Sequence, residues 1–377
     1  MLEDQGRYFF EFSRSGEAMS GRRPLDFFIG SGAAGRSYLV AAGGFLFQAP
    51  VSWYAQQRRW DISPGFDGYQ TLNLSRPIEV ACLKCHASRV QPRVATQNGY
   101  AEVPFLEGGI ACERCHGQGA AHTAGKTAEI VNPAKLGSRE RDAVCAECHL
   151  TGQARVEKRD GTLVAFVWAS AAESGFTVTS HYEKLWQSHC KKAAGDRLWC
   201  GTCHDPHAPP AASRRSQHFR QKCLECHPAA HERQRDRQDC IRCHMPPSPV
   251  LDVAHTVYTD HSIPRAAAGK RTVRLDRRLV PFWGGAAEPR ELGLAYLEVA
   301  HREGNPSDLD RAFELLRQAR AKGDDDPPLL TRLAFLYDRA GDPQQAAELY
   351  ERALREDGGQ VDAAVNLGSM LARRGQW

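Results

Sequence analysis

Residues 200–244 read CGTCHDPHAPPAASRRSQHFRQKCLECHPAAHERQRDRQDCIRCH, and the pentapeptide Cys-x-x-Cys-His occurs in them three times. Three more copies begin upstream, at Cys82, Cys112 and Cys145, so six copies use twelve of the thirteen cysteines. In a c-type haem site of this pattern, two thiols become thioethers and the adjacent imidazole binds the iron. The repeated pentapeptide therefore predicts six covalently attached c-type haems.

The motif assigns a role to each of its residues. The predicted attachment residues are Cys82, Cys85, Cys112, Cys115, Cys145, Cys148, Cys200, Cys203, Cys223, Cys226, Cys240 and Cys243. The predicted proximal iron ligands are His86, His116, His149, His204, His227 and His244. A structural zinc site would use Cys-x-x-Cys units two at a time, and neither zinc nor a thioredoxin-like redox motif explains a histidine after every pair.

The remaining histidines are candidates for the second axial ligand of each iron, opposite the motif histidine. Nine lie outside the motifs, and six would give every iron a second imidazole. An iron with two imidazoles exchanges electrons without binding a substrate, and the four methionines offer little alternative. The candidate distal ligands are His122, His207, His231, His255, His261 and His181. For His189 and His218 the sequence favours neither ligation nor another role. His301 is predicted to occupy a solvated helix position in the repeat region.

The charge of the chain gives no indication of a nucleic-acid partner, and the motif predicts the compartment. The formal net charge is +4, but each haem would add two propionates, and no aromatic interleaving or recognition helix indicates a nucleic-acid partner. Haem attachment to this motif takes place outside the bacterial cytoplasm, which predicts a periplasmic or extracellular protein. Residues 1–20 lack the features of a signal peptide, and no transmembrane segment is predicted. We expect the chain to be a fragment of a longer protein.

The C-terminal region has a second periodic pattern. Residues 327–358 read PPLLTRLAFLYDRAGDPQQAAELYERALREDG, with small and aromatic residues at the spacing of a tetratricopeptide repeat. Ala346, Tyr350 and Ala353 each follow a similar residue by 34 positions, namely Ala312, Leu316 and Ala319. A third repeat begins near Val361 and is incomplete at Trp377. An ordinary helical hairpin with the same spacing is the alternative.

These patterns predict a mainly α fold with irregular loops. A small β-containing N-terminal region should span residues 1–75, because aromatic and β-branched residues alternate there with Gly and Pro. A multihaem c-type cytochrome domain, with a core that is largely haem, should span residues 76–262. A linker over residues 263–289 and an α-α repeat solenoid over residues 290–377 complete the prediction.

Several segments resemble a known family. GGIACERCHGQGAAH (108–122), SHCKKAAGDRLWCGTCHDPH (188–207) and CIRCHMPPSPVLDVAHTVYTDHSIPR (240–265), followed by the repeats, resemble bacterial multihaem cytochromes c joined to tetratricopeptide repeats. Their haem part is similar to the tetrahaem cytochrome of ammonia oxidisers and, more distantly, to hydroxylamine oxidoreductase. The resemblance implies closely packed haems, His122 as a distal ligand, and functional roles for His207, His255 and His261.

The resemblance also indicates where this chain differs. Members of the family usually begin with a signal sequence and a further Cys-x-x-Cys-His motif, and neither is present here. A lost seventh haem would account for surplus histidines. Cys190 lies in an SxC element of unknown role, and a packed, unreactive thiol is the simplest interpretation.

The predicted function is electron transfer between redox partner proteins, with the repeats docking a protein partner and no catalytic residue assigned. A multihaem oxidoreductase of the hydroxylamine or nitrite class is the first alternative, and it requires one iron with an open distal face. A haem-based sensor of redox state or of a gas is the second.

Overall fold

The computed structural model describes residues 1–13, 20–30, 32, 35–55, 57–66, 76–126, 130–169, 180–229, 239–249, 257–264 and 276–375. His231 and His255, two candidate distal ligands, lie outside the described residues. The chain divides into two compact units. The first contains Met1–Ile110, Gly152–Ala172 and Leu275–Trp377, and the second contains Ala111–Thr151 and Glu173–Arg274. No helix in the described part of the chain is both long and apolar enough to cross a membrane.

The secondary structure is mixed. The strands are β1 (Leu2–Asp4), β2 (Arg7–Ser13), β3 (Ser20–Pro24), β4 (Phe27–Ile29), β5 (Gly35–Ala42), β6 (Phe45–Tyr54), β7 (Arg59–Ile62), β8 (Arg89–Pro92), β9 (Tyr100–Glu107), β10 (Ala154–Glu157), β11 (Leu163–Trp168), β12 (Pro247–Pro249), β13 (Val257–Thr259) and β14 (Leu279–Pro281). The α-helices are α1 (Val80–His86), α2 (Glu113–His116), α3 (Ala120–Thr123), α4 (Ser138–His149), α5 (His181–Gln187), α6 (His189–Ala194), α7 (Cys200–Cys203), α8 (Arg215–Leu224), α9 (Cys240–His244), α10 (Pro289–Glu303), α11 (Pro306–Ala321), α12 (Pro327–Arg339), α13 (Pro343–Glu356) and α14 (Val361–Arg373).

The prediction of a mainly helical chain is corrected by these strands. Strands were expected in the first 75 residues, but β8 to β13 lie in the stretch expected to hold mainly helices and irregular loops. The strand β11 reads LVAFVW, and short apolar runs of this kind cannot be assigned to strand or helix by periodicity alone. Tertiary pairing decides it, since β11 pairs with both β10 and β14 in one antiparallel sheet.

The N-terminal part of the first unit is built on antiparallel sheets. Strands β4 to β7 form a four-stranded sheet in sequential order, and β1 to β3 form a second sheet. On the four-stranded sheet, Leu39 and Leu46 belong to a buried cluster with Ile78, Leu83 and Tyr100. Leu83 belongs to α1, which carries the first haem motif, so this apolar cluster fixes the first motif against the sheet.

Helices α10 to α14 form the C-terminal repeats. All six residues that define the 34-residue offset are fully buried: Ala312, Leu316, Ala319, Ala346, Tyr350 and Ala353. Gly293 of α10 meets α11 so closely that a Cβ atom on it would lie 2.8 Å from the Leu316 side chain. The predicted pairing of helices through small residues is therefore present in the structure.

A three-stranded sheet covers the first helix of the repeats. Strands β10, β11 and β14 contribute Phe166 and Leu279 to the same apolar core as the repeat helices. The Tyr296 hydroxyl of α10 accepts a hydrogen bond from the Leu279 amide (2.9 Å). Arg290, almost fully buried, donates two hydrogen bonds to Asp326 (2.7 Å each) and a third to the Glu157 carbonyl (3.1 Å). The sheet thus acts as the cap that a helical repeat array needs at its end.

Candidate haem-binding site

The motif residues lie on single helical turns. Helices α1, α2, α4 and α9 each end at the histidine of a motif. In three motifs the backbone amide of the histidine donates to the carbonyl of the first cysteine at 2.9 Å, namely His116 to Cys112, His204 to Cys200 and His227 to Cys223. Both thiols and the imidazole therefore come from one turn of backbone. None of the thirteen cysteines forms a disulfide.

Backbone carbonyls orient two of the proximal imidazoles. The Nδ1 atom of His116 lies 2.7 Å from the Val131 carbonyl oxygen, and that of His244 lies 2.9 Å from the Pro264 carbonyl oxygen. A metal-binding histidine commonly donates its second ring N–H to such a carbonyl, which fixes the tautomer and the ring plane. With Nδ1 engaged in this way, Nε2 is the ring nitrogen that would bind an iron in both residues.

Desolvation favours the neutral form of several imidazoles. It lowers the pKa of His86, His149 and His204 below the usual value of 6.5, although all three residues keep exposed surface. A neutral imidazole has the lone pair that a metal ligand requires. The first of these three histidines lies in the first unit and the other two in the second.

Four imidazoles form one cluster in the second unit. The His181 ring centroid lies 5.0 Å from that of His149 and 4.7 Å from that of His261, and His204 lies 6.3 Å from His261. Burial, with the neighbouring histidines, lowers the pKa of His181 to about 3. Burial likewise lowers the pKa of His261 to about 4, although a hydrogen bond to the Thr259 carbonyl acts in the opposite direction and raises it. Tyr258 packs against His181 at 4.6 Å, which adds a buried phenol to this cluster.

Two imidazole pairs have the spacing of axial ligands. Two rings that bind one metal ion from opposite sides, with metal–nitrogen bonds of about 2 Å, have centroids about 6 Å apart. The His116 and His207 centroids are 5.8 Å apart with 24° between the planes, and those of His204 and His261 are 6.3 Å apart with 23°. The rings of His149 and His181 are closer and nearly perpendicular, at 88°.

Other candidate ligands have different surroundings. The Nδ1 atoms of His122 and His181 are buried and have no hydrogen-bond partner among the described residues. His218 makes a contact of 3.3 Å from Nε2 to the Cys203 carbonyl oxygen. His301 is exposed on α10, as predicted, with its ring edge-on to Phe335. Whether each of these four histidines binds an iron is not tested by the structure and stays a prediction.

Thiols of different motifs are in contact in the second unit. A hydrogen bond joins the side chains of Cys145 and Cys200, and it raises the pKa of Cys200 and lowers that of Cys145. Burial raises the pKa of Cys223 to about 11, and Cys240 contributes through its charge and a side-chain hydrogen bond. The first cysteines of motifs three and four, and those of motifs five and six, are therefore neighbours.

The second unit fits a covalently bound haem group. Its buried hydrophobic side chains, among the described residues, are Ala146, Leu150, Tyr182, Leu185 and Tyr258. Such a sparse set does not make a core for the chain that surrounds it, whereas thiols and imidazoles are plentiful there. In the same described ranges, no group of three or more His, Cys, Asp or Glu side chains is placed to hold a bare metal ion.

A buried ionic network was not anticipated from the sequence. Asp142, Tyr182 and Lys191 are each less than 6% exposed and bond to one another between motifs three and four. Asp142 precedes Cys145 by three residues on α4. A single acidic residue at that position does not predict a buried ion pair from the sequence.

The comparisons with known proteins identify repeats in the C-terminal region. No curated protein matches the chain. A solved structure of the outer cell wall cytochrome OcwA is similar with a TM-score of 0.40 and 14% identity, over 90% of this chain and 85% of that chain. A likeness at that level carries no argument about fold or function. Residues 306–367 match the tetratricopeptide repeat family, which confirms the predicted repeats for that segment.

Proposed function

We propose that the chain binds six c-type haems covalently and transfers electrons through them, in the periplasm or outside the cell. The observation that carries this proposal is the repeated helical turn that presents two thiols and one imidazole together. When bound, each haem supplies an iron that takes up and releases one electron. The sparse apolar core of the second unit supports the proposal, because porphyrins would fill that space.

The thiol contacts support an order for the array. A sulfur in a thioether is attached to the porphyrin edge, so neighbouring sulfurs bring two haem edges together. Cys145 contacts Cys200, and Cys223 contacts Cys240. The haems of motifs three and four would then be one close pair, and those of motifs five and six another.

The imidazole pairs support six-coordinate irons for two motifs. His207 has the centroid spacing to be the second ligand where His116 is the first, and His261 has it where His204 is the first. Both second ligands follow a motif in the sequence but pair with a different one. This exchange of ligands between motifs would lock the second unit around its cofactors.

The test is a haem count and a spin-state measurement on the full chain matured in a host that attaches c-type haem. We expect six haems per chain by pyridine haemochrome, with low-spin EPR signals from the irons. His261→Ala should convert one low-spin iron to high-spin, whereas the control His301→Ala should leave the spectrum unchanged. No covalent haem would overturn the proposal, and an unchanged spectrum in His261→Ala would overturn the pairing.

A second candidate function rests on the His149 and His181 geometry. Their ring centroids, 5.0 Å apart, are closer together than those of the two axial pairs, and Tyr258 lies against His181. An iron held by His149 with its other face open would be a site for a small nitrogen compound, as in an oxidoreductase. A high-spin signal in the unmodified protein that shifts on addition of hydroxylamine or nitrite would favour this function.

The repeat helices would dock a redox partner protein. The match of residues 306–367 to tetratricopeptide repeats supports this role, because repeats of this kind present extended binding surfaces. Helix α14 exposes Val361 and Val365, at 39% and 59%, on the last of the described repeats.

A further inference from the structure

One carboxylate in the second unit is enclosed by cations and a phenol. The Asp142 Oδ2 atom accepts hydrogen bonds from the Tyr182 hydroxyl (2.7 Å) and from Lys191 Nζ (3.0 Å). Arg141 Nε approaches the other carboxylate oxygen at 3.4 Å. The side chains of Asp142 and Lys191 are only 3% and 6% exposed, so the pair is screened little by water.

The same residues frame two haem motifs. Asp142 lies three positions before Cys145 on α4, one helical turn from the first thiol of motif three. Lys191 also donates to the Leu198 carbonyl (2.7 Å), two residues before Cys200 of motif four. The charge of Asp142 acts on both thiols, and those two thiols are hydrogen-bonded to each other. The ionic cluster is therefore shared by the attachment points of two haems.

Stability alone does not explain such a cluster. Removing two charges from water costs several kcal/mol for each ion, and a well-packed apolar replacement is often as stable or more so. The charges that touch here, one carboxylate and two cations, sum to one positive charge. In a medium of low polarity, that charge favours the addition of an electron nearby.

We propose that Asp142, Lys191 and Arg141 set the reduction potentials of the two haems attached through Cys145 and Cys200. The proposal rests on the haem-binding function proposed above. The cations raise these two potentials relative to those that the haems would have without them, and the carboxylate limits the rise. The pair therefore differs in potential from the remaining haems, so it forms a distinct step for an electron that crosses the second unit.

The test is a spectroelectrochemical titration of the haem-loaded full chain and of four variants. Lys191→Met should lower the potentials of two of the six haems, because a buried positive charge is lost. Asp142→Asn should raise the same two potentials, because a buried negative charge is lost. Lys191→Arg, which keeps the charge, should retain the original titration, and the control Lys192→Met changes an exposed neighbour and should alter nothing.

The opposite signs separate tuning from structural damage. Loosened packing would admit water to the haems in both variants and move the potentials in one direction. Shifts of equal sign, shifts spread over all six haems, or no shift would overturn the inference. The proposed function is tested separately by the haem count, so it would not be overturned by these results. If Lys191→Met fails to load haem, Arg141→Gln removes a cation from the less enclosed side of Asp142 and should lower the same two potentials. The absence of any shift there would also overturn the inference.

Discussion

Arg290 is a charged side chain placed almost wholly inside the first unit. It is 4% exposed and bonds through two nitrogens to Asp326, while Asp326 also caps α12 through the Leu329 amide (3.3 Å). Arg159 of the β10–β11 hairpin approaches the same carboxylate at 3.3 Å. One arginine and one aspartate thus connect the capping sheet to the first two repeat helix pairs.

Arg290→Met should destabilise the repeat region by about 3 kcal/mol, because removing one partner leaves the Asp326 charge enclosed without its main counter-ion. The measurement is hydrogen–deuterium exchange of α10 to α13 in the full chain, with denaturant to scale the free energy of opening. The control Arg355→Met removes an exposed ion pair with Glu351 (67% and 55% exposed) and should change stability by less than about 1 kcal/mol.

The same prediction has a pH signature. Burial alone would raise the pKa of Asp326, but the hydrogen bonds and charge of Arg290 outweigh it and hold this pKa below 3.8. A lowered carboxyl pKa contributes stability above the unfolded value, and that stability is lost as the pH falls through the folded value. Protection of α10 to α13 should therefore decrease below about pH 4 in the unmodified chain. In Arg290→Met this decrease should be smaller, and an equal decrease would contradict the assignment.

At the residue scale, the sequence is informative where chemistry requires fixed spacing. The six motifs were identifiable because two thiols and an imidazole must share one helical turn. The spatial partners of His116 and His204 were not identifiable, since His207 and His261 meet them through the tertiary fold. The Asp142 and Lys191 pair was missed for the same reason, because 49 residues separate its members.

At the level of elements, two helix glycines have opposite surroundings. Gly293 in α10 has Leu316 at 2.8 Å from the position of an added Cβ atom, whereas Gly368 in α14 has nothing within 4 Å. The first glycine permits two helices to approach, and the second only adds backbone freedom to a helix interior.

The same substitution should therefore have opposite effects at these positions. Gly293→Ala should destabilise the α10 and α11 pair by about 1 kcal/mol or more, because an added methyl overpacks a close contact. Gly368→Ala should stabilise α14 by about 0.5–1 kcal/mol, because alanine is the better helix former. Hydrogen exchange of the two helices in the full-length variants measures both. Stabilisation by Gly293→Ala would contradict this prediction, because it would show that the contact between α10 and α11 can admit the added methyl group.

The helical repeats were the easiest elements to predict and the capping sheet the hardest. A 34-residue period repeats the same burial requirement, so Ala312 and Ala346 could be paired from the sequence alone. The sheet joins β10 and β11 to β14, which lies more than a hundred residues later in the region expected to be a linker. Three residues with two apolar side chains are too short a strand to recognise before its partner is known.

At the scale of the whole molecule, the two units differ in what fills them. The first unit has apolar clusters from the N-terminal sheet to the repeats. The described part of the second unit has short helices around thiols and imidazoles, with few buried apolar side chains. If haem fills that unit, its folding free energy is largely the free energy of haem binding.

A full-length chain made without haem attachment should therefore fold in only one of its units. We expect peptides from residues 111–151 and 180–229 to exchange their amides rapidly, while α10 to α13 stay protected as in the haem-loaded chain. Mass-resolved hydrogen exchange on both forms measures this, and the repeat helices provide the internal reference. Equal protection of the second unit in both forms would show that its core does not depend on haem.

The hydrogen bond from the Ala169 amide to the Arg278 carbonyl (2.8 Å), beside the paired Trp168 and Leu279, has an evolutionary consequence. The chain leaves the capping sheet and returns to it at neighbouring points, and three of the six motifs lie between them. An intervening segment with adjacent ends can be gained or lost as a cassette, because a short hairpin turn can replace it without altering strand register. Loss of that segment would remove three motifs together with the partner histidines His181, His207 and His261, while the strands of the cap would keep their register.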